Sequence, residues 1–393
     1  MAAHEVVLFG ATGFTGRLVA EELARRDVRW AMAGRRRDAL ERARDELGVD
    51  VPIVVADASD LGALRAMARE ARVVCTTVGP YSRHGEPLVE ACVAEGTHYC
   101  DLAGEPHFVR RMVTRFHDLA ASCHVRIVHA CGFDSVPSDL GCFLLQEAAI
   151  ARAGAPAREV RLYVRRLRGA FSGGTIESLM ASLEQRRDPE VRAAMRDPYA
   201  LVPGASGPPV RDLTCGVDRA DGSFLAPFVM APTNARVVRR TNALLGWRYG
   251  NDFRYDEVSS FRGASGAVRA FGLTAGLLAF GAAVSVRPTR DLARRLLPGP
   301  SEGPGPEQRQ RGRFEMELVA REPEEVRVVV GADRDPGYAG TAIMLAESAL
   351  CLARDPLPDR FGVLTPASAM GHALVDRLRR AGFRFEVRPP PAP

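Results

Sequence analysis

The sequence predicts an α/β fold: a Rossmann-type doubly wound parallel sheet with a second α+β domain. Three observations carry this. Gly10, Gly13 and Gly16 fall between a short apolar strand and a helix near the start of the chain. Strand and helix patterns then alternate to about residue 131. Beyond Gly132 longer strands, a hairpin and Pro/Gly loops replace the alternation.

The first strand, Glu5–Phe9, runs into Gly10-Ala11-Thr12-Gly13-Phe14-Thr15-Gly16 and then a helix, Thr15–Arg26, with Leu18, Val19 and Leu23 as apolar positions. Gly10 lets the backbone turn off the strand, Gly13 lets it approach a diphosphate, and Gly16 lets helix and strand pack closely. N–H groups at the helix start face the phosphates. Gly10, Thr12, Gly13, Phe14, Thr15 and Gly16 are therefore candidate cofactor-binding residues. An ordinary glycine-rich turn would explain the triplet alone; its place between strand and helix favours the nucleotide.

The second strand, Arg29–Ala33, ends at Gly34-Arg35-Arg36-Arg37. An NAD site usually sets a carboxylate here for the ribose 2′-hydroxyl. Arg35 stands there instead, and a guanidinium grips a 2′-phosphate through paired charge-assisted bonds, so the cofactor expected is NADP. A solvated helix start is the alternative, although positive charge there opposes the helix dipole. A third strand, Val51–Val55, precedes Asp57, which is placed to reach the adenine.

Strands Val73–Thr76, His98–Asp101 and Val125–His129 continue the sheet, with helices Arg37–Leu47, Leu61–Glu70, Pro87–Glu95 and Pro106–Ser122 between elements. The loops Gly79-Pro80-Tyr81, Leu102–Glu105 and Gly132–Val136 leave the carboxyl ends of these strands, where ligands of such sheets lie. Gly79 and Gly132 permit close backbone approach, and Pro80 and Pro137 stiffen their loops. Gly79 and Pro80 count with the cofactor site.

In the second half, Ser135 or Ser138 is expected to cap a helix. Glu159–Leu167 reads as a strand, Ile176–Gln185 as a helix, 197–212 as a Pro/Gly loop, and Phe228–Asn234 and Glu257–Phe261 as strand pieces. The apolar run Ala270–Val286, flanked by Arg269 and Arg287, reads first as a buried or interdomain helix; a membrane-surface helix and a membrane span are the alternatives. A Pro/Gly loop covers 298–306, and Arg313–Arg321 with Glu325–Gly331 predicts a hairpin. Helices Tyr338–Arg354 and Ala367–Ala381, a strand Phe383–Val387 and a disordered tail Pro389–Pro393 complete the chain. The domain expectation is 1–135 for NADP, 136–336 for substrate and dimerisation, 337–388 returning to the first domain, and 389–393 as tail.

The 393 residues carry 26% charged and 46% hydrophobic side chains, ordinary for a globular protein. A net charge of +5 from dispersed arginines argues against nucleic acid as a partner. All 53 basic residues are arginine, which excludes a side-chain Schiff base and a Tyr-x-x-x-Lys pair. The eight cysteines form no C-x-x-C pair, and no signal peptide precedes the first strand, so a cytoplasmic location is expected. Histidines from His84 to His129 fit no ligand frame, and no metal is expected.

Several segments resemble one family. They are Gly10–Gly16, Ala33-Gly34-Arg35, Thr77-Val78-Gly79-Pro80-Tyr81, Gly85-Glu86-Pro87-Leu88-Val89, Asp101-Leu102-Ala103-Gly104-Glu105 and Cys131-Gly132-Phe133-Asp134-Ser135-Val136-Pro137. Ser172-Gly173-Gly174-Thr175, Gly337-Tyr338, Glu347-Ser348-Ala349 and Gly362-Val363-Leu364-Thr365-Pro366 extend the likeness to nearly the whole chain. The sequence resembles the saccharopine dehydrogenase-like oxidoreductases, especially their trans-acting enoyl reductase branch. The resemblance implies a Rossmann domain, a second α+β domain, a nicotinamide cofactor and, as in lipid-making relatives, reduction of a polyketide enoyl bond. Lysine-pathway saccharopine dehydrogenases are associated with a catalytic lysine, which this chain lacks.

Enoyl reduction needs hydride at the β-carbon, stabilisation of the thioester oxygen and a proton for the α-carbon. Backbone N–H groups suit the oxygen. Tyr81 is the leading proton donor, Asp134 an orienting or alternative acid, and His84 a third candidate. Against these roles, Tyr81 would only flank the nicotinamide and Asp134 would only cap a turn. Cys131 reads as inert core. The partners expected are a carrier-bound hydrophobic acyl or polyketide substrate, a peripheral membrane contact and a second copy in a homodimer. Two other functions fit: a saccharopine-type amino-acid or imine dehydrogenase, whose cleft would need several basic residues, and a non-catalytic NADP-binding protein associated with lipid.

Overall fold

A computed structural model describes residues 2–169, 180, 185, 188–209, 214–285, 288–289, 303 and 305–389. The helix expected at Ile176–Gln185, the segment Ser172–Thr175, most of the 298–306 loop and residues 390–393 lie outside the described residues, apart from single positions.

The first half runs β1 (His4–Phe9), α1 (Phe14–Ala24), β2 (Trp30–Gly34), α2 (Arg37–Leu47), β3 (Ile53–Val55), α3 (Leu61–Arg69), β4 (Ala71–Thr76), α4 (Tyr81–His84), α5 (Glu86–Ala94), β5 (His98–Cys100), α6 (Pro106–Ser122) and β6 (Arg126–Val128). Then come α7 (Val136–Ala153), β7 (Glu159–Arg168), α8 (Pro189–Arg196), β8 (Gly216–Val217), β9 (Phe224–Pro227), α9 (Ala231–Leu244), β10 (Arg254–Phe261) and α10 (Gly266–Ser285). The chain ends with α11 (Pro306–Gln310), β11 (Arg313–Ala320), β12 (Val326–Ala332), a π-helical turn Pro336–Gly340, α12 (Thr341–Arg354), β13 (Gly362–Leu364), α13 (Pro366–Arg380) and β14 (Arg384–Arg388).

The first sheet has the order β13-β6-β5-β4-β1-β2-β3, with every neighbouring pair parallel. Side chains alternate across it as strand geometry demands. Val6 and Leu8 enter one core with Val19 and Leu23 of α1 and Met344 of α12. Val7 and Phe9 enter the other with Leu64 of α3, Val89 of α5 and Met112 of α6. Arg26, two residues past α1, bonds Glu347 of α12 at 2.7 and 2.9 Å, tying the late helix to the end of the first. The strand order reverses between β1 and β4, and that switch point opens the crevice at the strands' carboxyl ends.

The second sheet has the order β14-β12-β11-β7-β10-β9-β8. β7 and β10 are parallel, and the other pairs are antiparallel. α7 lies so close to one face that a Cβ on Gly141 would press on Leu318 and Val330. Phe314, Met316 and Leu318 face that core, while Glu315 and Glu317 alternate to the open face. The C-terminal segment serves both sheets: β13 extends the first beside β6, and β14 extends the second beside β12.

Four expectations are corrected. The strand placed at Phe228–Asn234 is the start of α9, with β9 ending at Pro227. Ala231, Ala235 and Val238 are buried at helical spacing there. Neither Ser135 nor Ser138 caps α7; both bond Asn234 of α9, at 3.0 and 3.2 Å. The apolar run forms α10, but this helix is exposed rather than buried, with Phe271 76% exposed. The short strand β13 was not expected, and the final strand joins the second sheet, not the first.

Two fully buried acids brace α7, α9 and β10. Asp139 accepts from Thr241 Oγ1 and, at 2.8 Å, from Ala367 N. Glu257 accepts from Tyr255 Oη at 2.8 Å and Asn234 Nδ2 at 2.9 Å. Burial raises each to about 7, against the pull of these bonds. A raised folded pKa means that the stabilisation is complete below the unfolded value and is lost as pH climbs to the folded one. Asp139→Asn is expected to flatten the decline in stability between about pH 4 and 7, read as denaturant midpoint against pH. A profile parallel to that of the parent protein would place the loss at another group.

Candidate functional site

The nucleotide loop follows from three backbone facts. Gly10 has φ +95°, a left-handed conformation that side chains resist. A Cβ on Gly16 would strike the Gly10 carbonyl, so α1 packs on the loop only with glycine there. Gly13 begins α1 without a side-chain cap, and the first helical bond, Arg17 N to Gly13 O, spans 2.8 Å. The N–H groups of Phe14, Thr15 and Gly16 precede that bond and face out of the helix end. Gly13 is exposed, with Thr12 and Thr15 half-buried beside it. The Phe14 ring turns to Tyr338, edge-on at 4.9 Å, and also packs against Gly303.

The ends of β2, β3 and the β4 loop assemble the next group. Arg35 is exposed just past β2 and has no ion pair among the described residues. Asp57 accepts from Ser59 Oγ and N at 2.6 and 2.9 Å, which holds its carboxyl below the usual range; the charges of Arg35 and His84 add to this. His84 therefore stands toward the Arg35–Asp57 edge. Gly79 is exposed, with room for a ligand above it, and Pro80 immediately precedes α4.

The other half of the crevice is held by carboxylates. Glu105, buried, accepts from the N–H groups of Tyr81 and Ser82 at 2.8 and 3.0 Å. Asp101 Oδ2 accepts from Tyr99 Oη at 2.8 Å and pairs with His129 Nδ1 at 2.7 Å. Its Oδ1 accepts from Ala103 N and Ala130 N at 2.9 and 3.2 Å. His129 is 2% exposed, and its Nε2 has no hydrogen-bond partner among the described residues. Aromatic rings at Phe108 and Tyr99 meet its edge at 5.4 and 5.7 Å. His129 lines a cavity of about 10 Å³, room for one water, with Ala103, Val109, Leu201, Val237 and Arg240 among its other walls. Glu105, His129 and Leu364 bring the carboxyl ends of β5, β6 and β13 to this cavity.

The structure gives the anticipated proton donors different settings. Tyr81 is buried, and its hydroxyl donates to Thr76 O at 3.3 Å and accepts from Leu102 N at 3.2 Å. Burial pushes its phenol well above the usual range, with Asp101 adding to the shift. Asp134 is half-buried in the turn ahead of α7. Gly132 serves packing rather than ligand approach, because a Cβ there would meet Leu102 and Thr341. Cys131 is fully buried and its thiol pushed up by burial. Sequence reasoning missed His129, Asp101 and Glu105 as a set, although all three stand at or just past strand ends that it located.

A separate groove of about 430 Å³ crosses the open face of the second sheet, lined by Arg165, Glu315, Glu317 and Arg327. Three of its five arginines are engaged among the described residues: Arg165 pairs with Glu317 and Asp221 at 2.9 Å, Arg327 with Glu317 at 3.1 Å and Arg262 with Asp221 at 2.7 Å. It faces away from α7 and the first sheet.

The parallel order, the switch point and the open amide loop place the protein among the dinucleotide-dependent oxidoreductases of Rossmann type. Residues 6–128 match the family described as the saccharopine dehydrogenase NADP binding domain, and the cofactor is NADP. A Mycobacterium tuberculosis protein, Rv2449c, provisionally named a trans-acting enoyl reductase, is 44% identical over 407 residues, covering 98% of this chain and 97% of its own. The trans-acting enoyl reductase of Mycobacterium ulcerans is 40% identical over 402 residues, covering 96% of each. The chain belongs to the trans-acting enoyl reductase family, within the saccharopine dehydrogenase-like oxidoreductases. Saccharopine dehydrogenase (L-Glu forming) from Saccharomyces cerevisiae shares the fold, with a TM-score of 0.55 at 11% identity over 98% of this chain and 99% of that one.

Replacing Arg35 by Gln is expected to weaken NADPH binding about ten- to hundredfold while leaving NADH nearly unchanged, as loss of charge-assisted bonds to a 2′-phosphate requires. Calorimetry with both nucleotides reads this directly, and equal losses for the two would remove Arg35 from that role.

Proposed function

We propose that the protein is an NADPH-dependent enoyl reductase that acts in trans, in the cytoplasm, on a polyketide or fatty-acyl thioester presented by a carrier. The names of its relatives support the reaction. The observation that carries the reading for this chain is the character of the walls at the carboxyl ends of β5, β6 and β13. They are apolar at Ala103, Val109, Leu201, Val237 and Leu364. A saccharopine-type substrate bears several carboxylates and would call for several free cations. Arg240 is the cation on these walls, and it is committed to Leu201 O and Val363 O.

Gly10, Thr12, Gly13, Phe14, Thr15 and Gly16 hold the diphosphate in this reading, Arg35 the 2′-phosphate, and Asp57 the adenosine edge. Gly79 and Pro80 border the nicotinamide. Bound NADPH supplies the hydride for the β-carbon. His129 supplies the proton for the α-carbon from Nε2 across the one-water cavity, while Asp101 holds Nδ1 and so fixes the ring. Tyr81 positions the Thr76–Leu102 junction, Asp134 is the second acid, and His84 stays on the nucleotide side.

The test follows NADPH absorbance with a panel of enoyl thioesters on carrier protein, on coenzyme A and on pantetheine, beside carboxylated imines. Oxidation with the thioesters and not the imines supports the reading; turnover of imines alone overturns it. His129→Gln is expected to lower kcat about a hundredfold and to leave the NADPH affinity unchanged. An unchanged kcat would return the proton to Asp134 or Tyr81.

A further inference from the structure

We propose that α10 is a monotopic membrane helix that lies in the interface of an anionic bilayer. The inference stands apart from the reductase reading, since it uses no residue of the nucleotide or substrate crevice.

The helix spans 20 residues, Gly266–Ser285, and Arg269 is its one charged side chain. Val268, Phe271 and Leu278 are 73, 76 and 63% exposed, and Leu273 is 36% exposed. At about 100° per residue the first three fall on one side and Leu273 on the other. Exposed apolar area of this extent calls for a cover, and a helix sunk to the boundary of headgroups and acyl chains turns its broader side, Val268, Phe271 and Leu278, into lipid.

Charge selects the surface. From Val258 to Arg290 the sequence has no acidic residue and four arginines, Arg262, Arg269, Arg287 and Arg290. Arg262 bonds Asp221 at 2.7 Å, and Arg269 lies over the Phe261 ring. The net sign of the stretch remains positive, which suits anionic headgroups.

Topology excludes a span. The chain enters α10 from β10 and returns through α11 to β11, and both strands pair with β7 in one sheet. A crossing helix would need residues 286–305 to cross back. That segment holds Arg287, Arg290, Asp291, Arg294, Arg295 and Glu302, too many charges for a hydrocarbon passage. The helix therefore enters from one side and stays in the interface.

The test is sedimentation of the full chain with vesicles of phosphatidylcholine alone, or of equal parts phosphatidylcholine and phosphatidylglycerol. The expected result is association with the anionic vesicles, weaker with the neutral ones and weakened by salt. Phe271→Ser and Leu278→Ser are each expected to lower partition about tenfold, since each removes a side chain of apolar area from the lipid. Both positions are exposed, and NADPH calorimetry on the variants checks that the fold is intact. Equal association with both vesicles overturns the anionic preference. Protein left in the supernatant overturns the proposal, whether it is monomeric or a dimer that the two substitutions split.

Discussion

Asp101 has no access to water, and four donors close around its two oxygens. Burying such a group costs several kcal/mol unless its lone pairs are filled, and here Tyr99, His129, Ala103 and Ala130 fill them. The consequence is geometric. The loops leaving β5 and β6 cannot move apart without stranding the carboxylate. Ala130 is held at φ +62°, a conformation an alanine does not choose, and its N–H donates to that same carboxylate. Glu105 repeats the device one loop over, holding the first turn of α4 by the N–H groups of Tyr81 and Ser82. The crevice is shaped by carboxylates that bind backbone, not by the residues that face a substrate.

The first sheet was legible because its physics is local. Apolar strands of the β1 kind and amphipathic helices of the α2 kind declare themselves within a dozen residues, and α2 and α6 have the expected bounds. The nucleotide loop was legible for the same reason. Less legible were features set by distant packing. β13 has three residues and becomes a strand because β6 offers an unpaired edge. Ser135 looked like a cap but meets Asn234, 99 positions later. Phe228–Asn234 read as a strand because its apolar residues fit either period over so short a run. The histidines from His84 to His129 fit no ligand frame, and the pairing of His129 with Asp101 across 28 residues has no sequence signature.

A protein without lysine solves its cationic needs with forks. Three arginines of α9 are buried and donate to main-chain carbonyls: Arg236 to Met195 and Asp197, Arg239 to Pro198 and Tyr255, Arg240 to Leu201 and Val363. A planar guanidinium reaches several carbonyls at once, which an ammonium on a single stem does less well. The segment 195–201 is thereby held against α9, and β13 against both. Burial draws Arg240 down to about 10, so it stays charged at neutral pH in the absence of a carboxylate bond.

The margins of the two sheets have their own consequence. β3 and β13, at the rims of the first, have three residues each. In the second, β8 has two residues, and β14 carries Arg384, Glu386 and Arg388 and is followed by Pro389. A bare rim is a template on which a stranger's backbone can grow. Rims this short, charged or proline-stopped are poor templates for an invading chain.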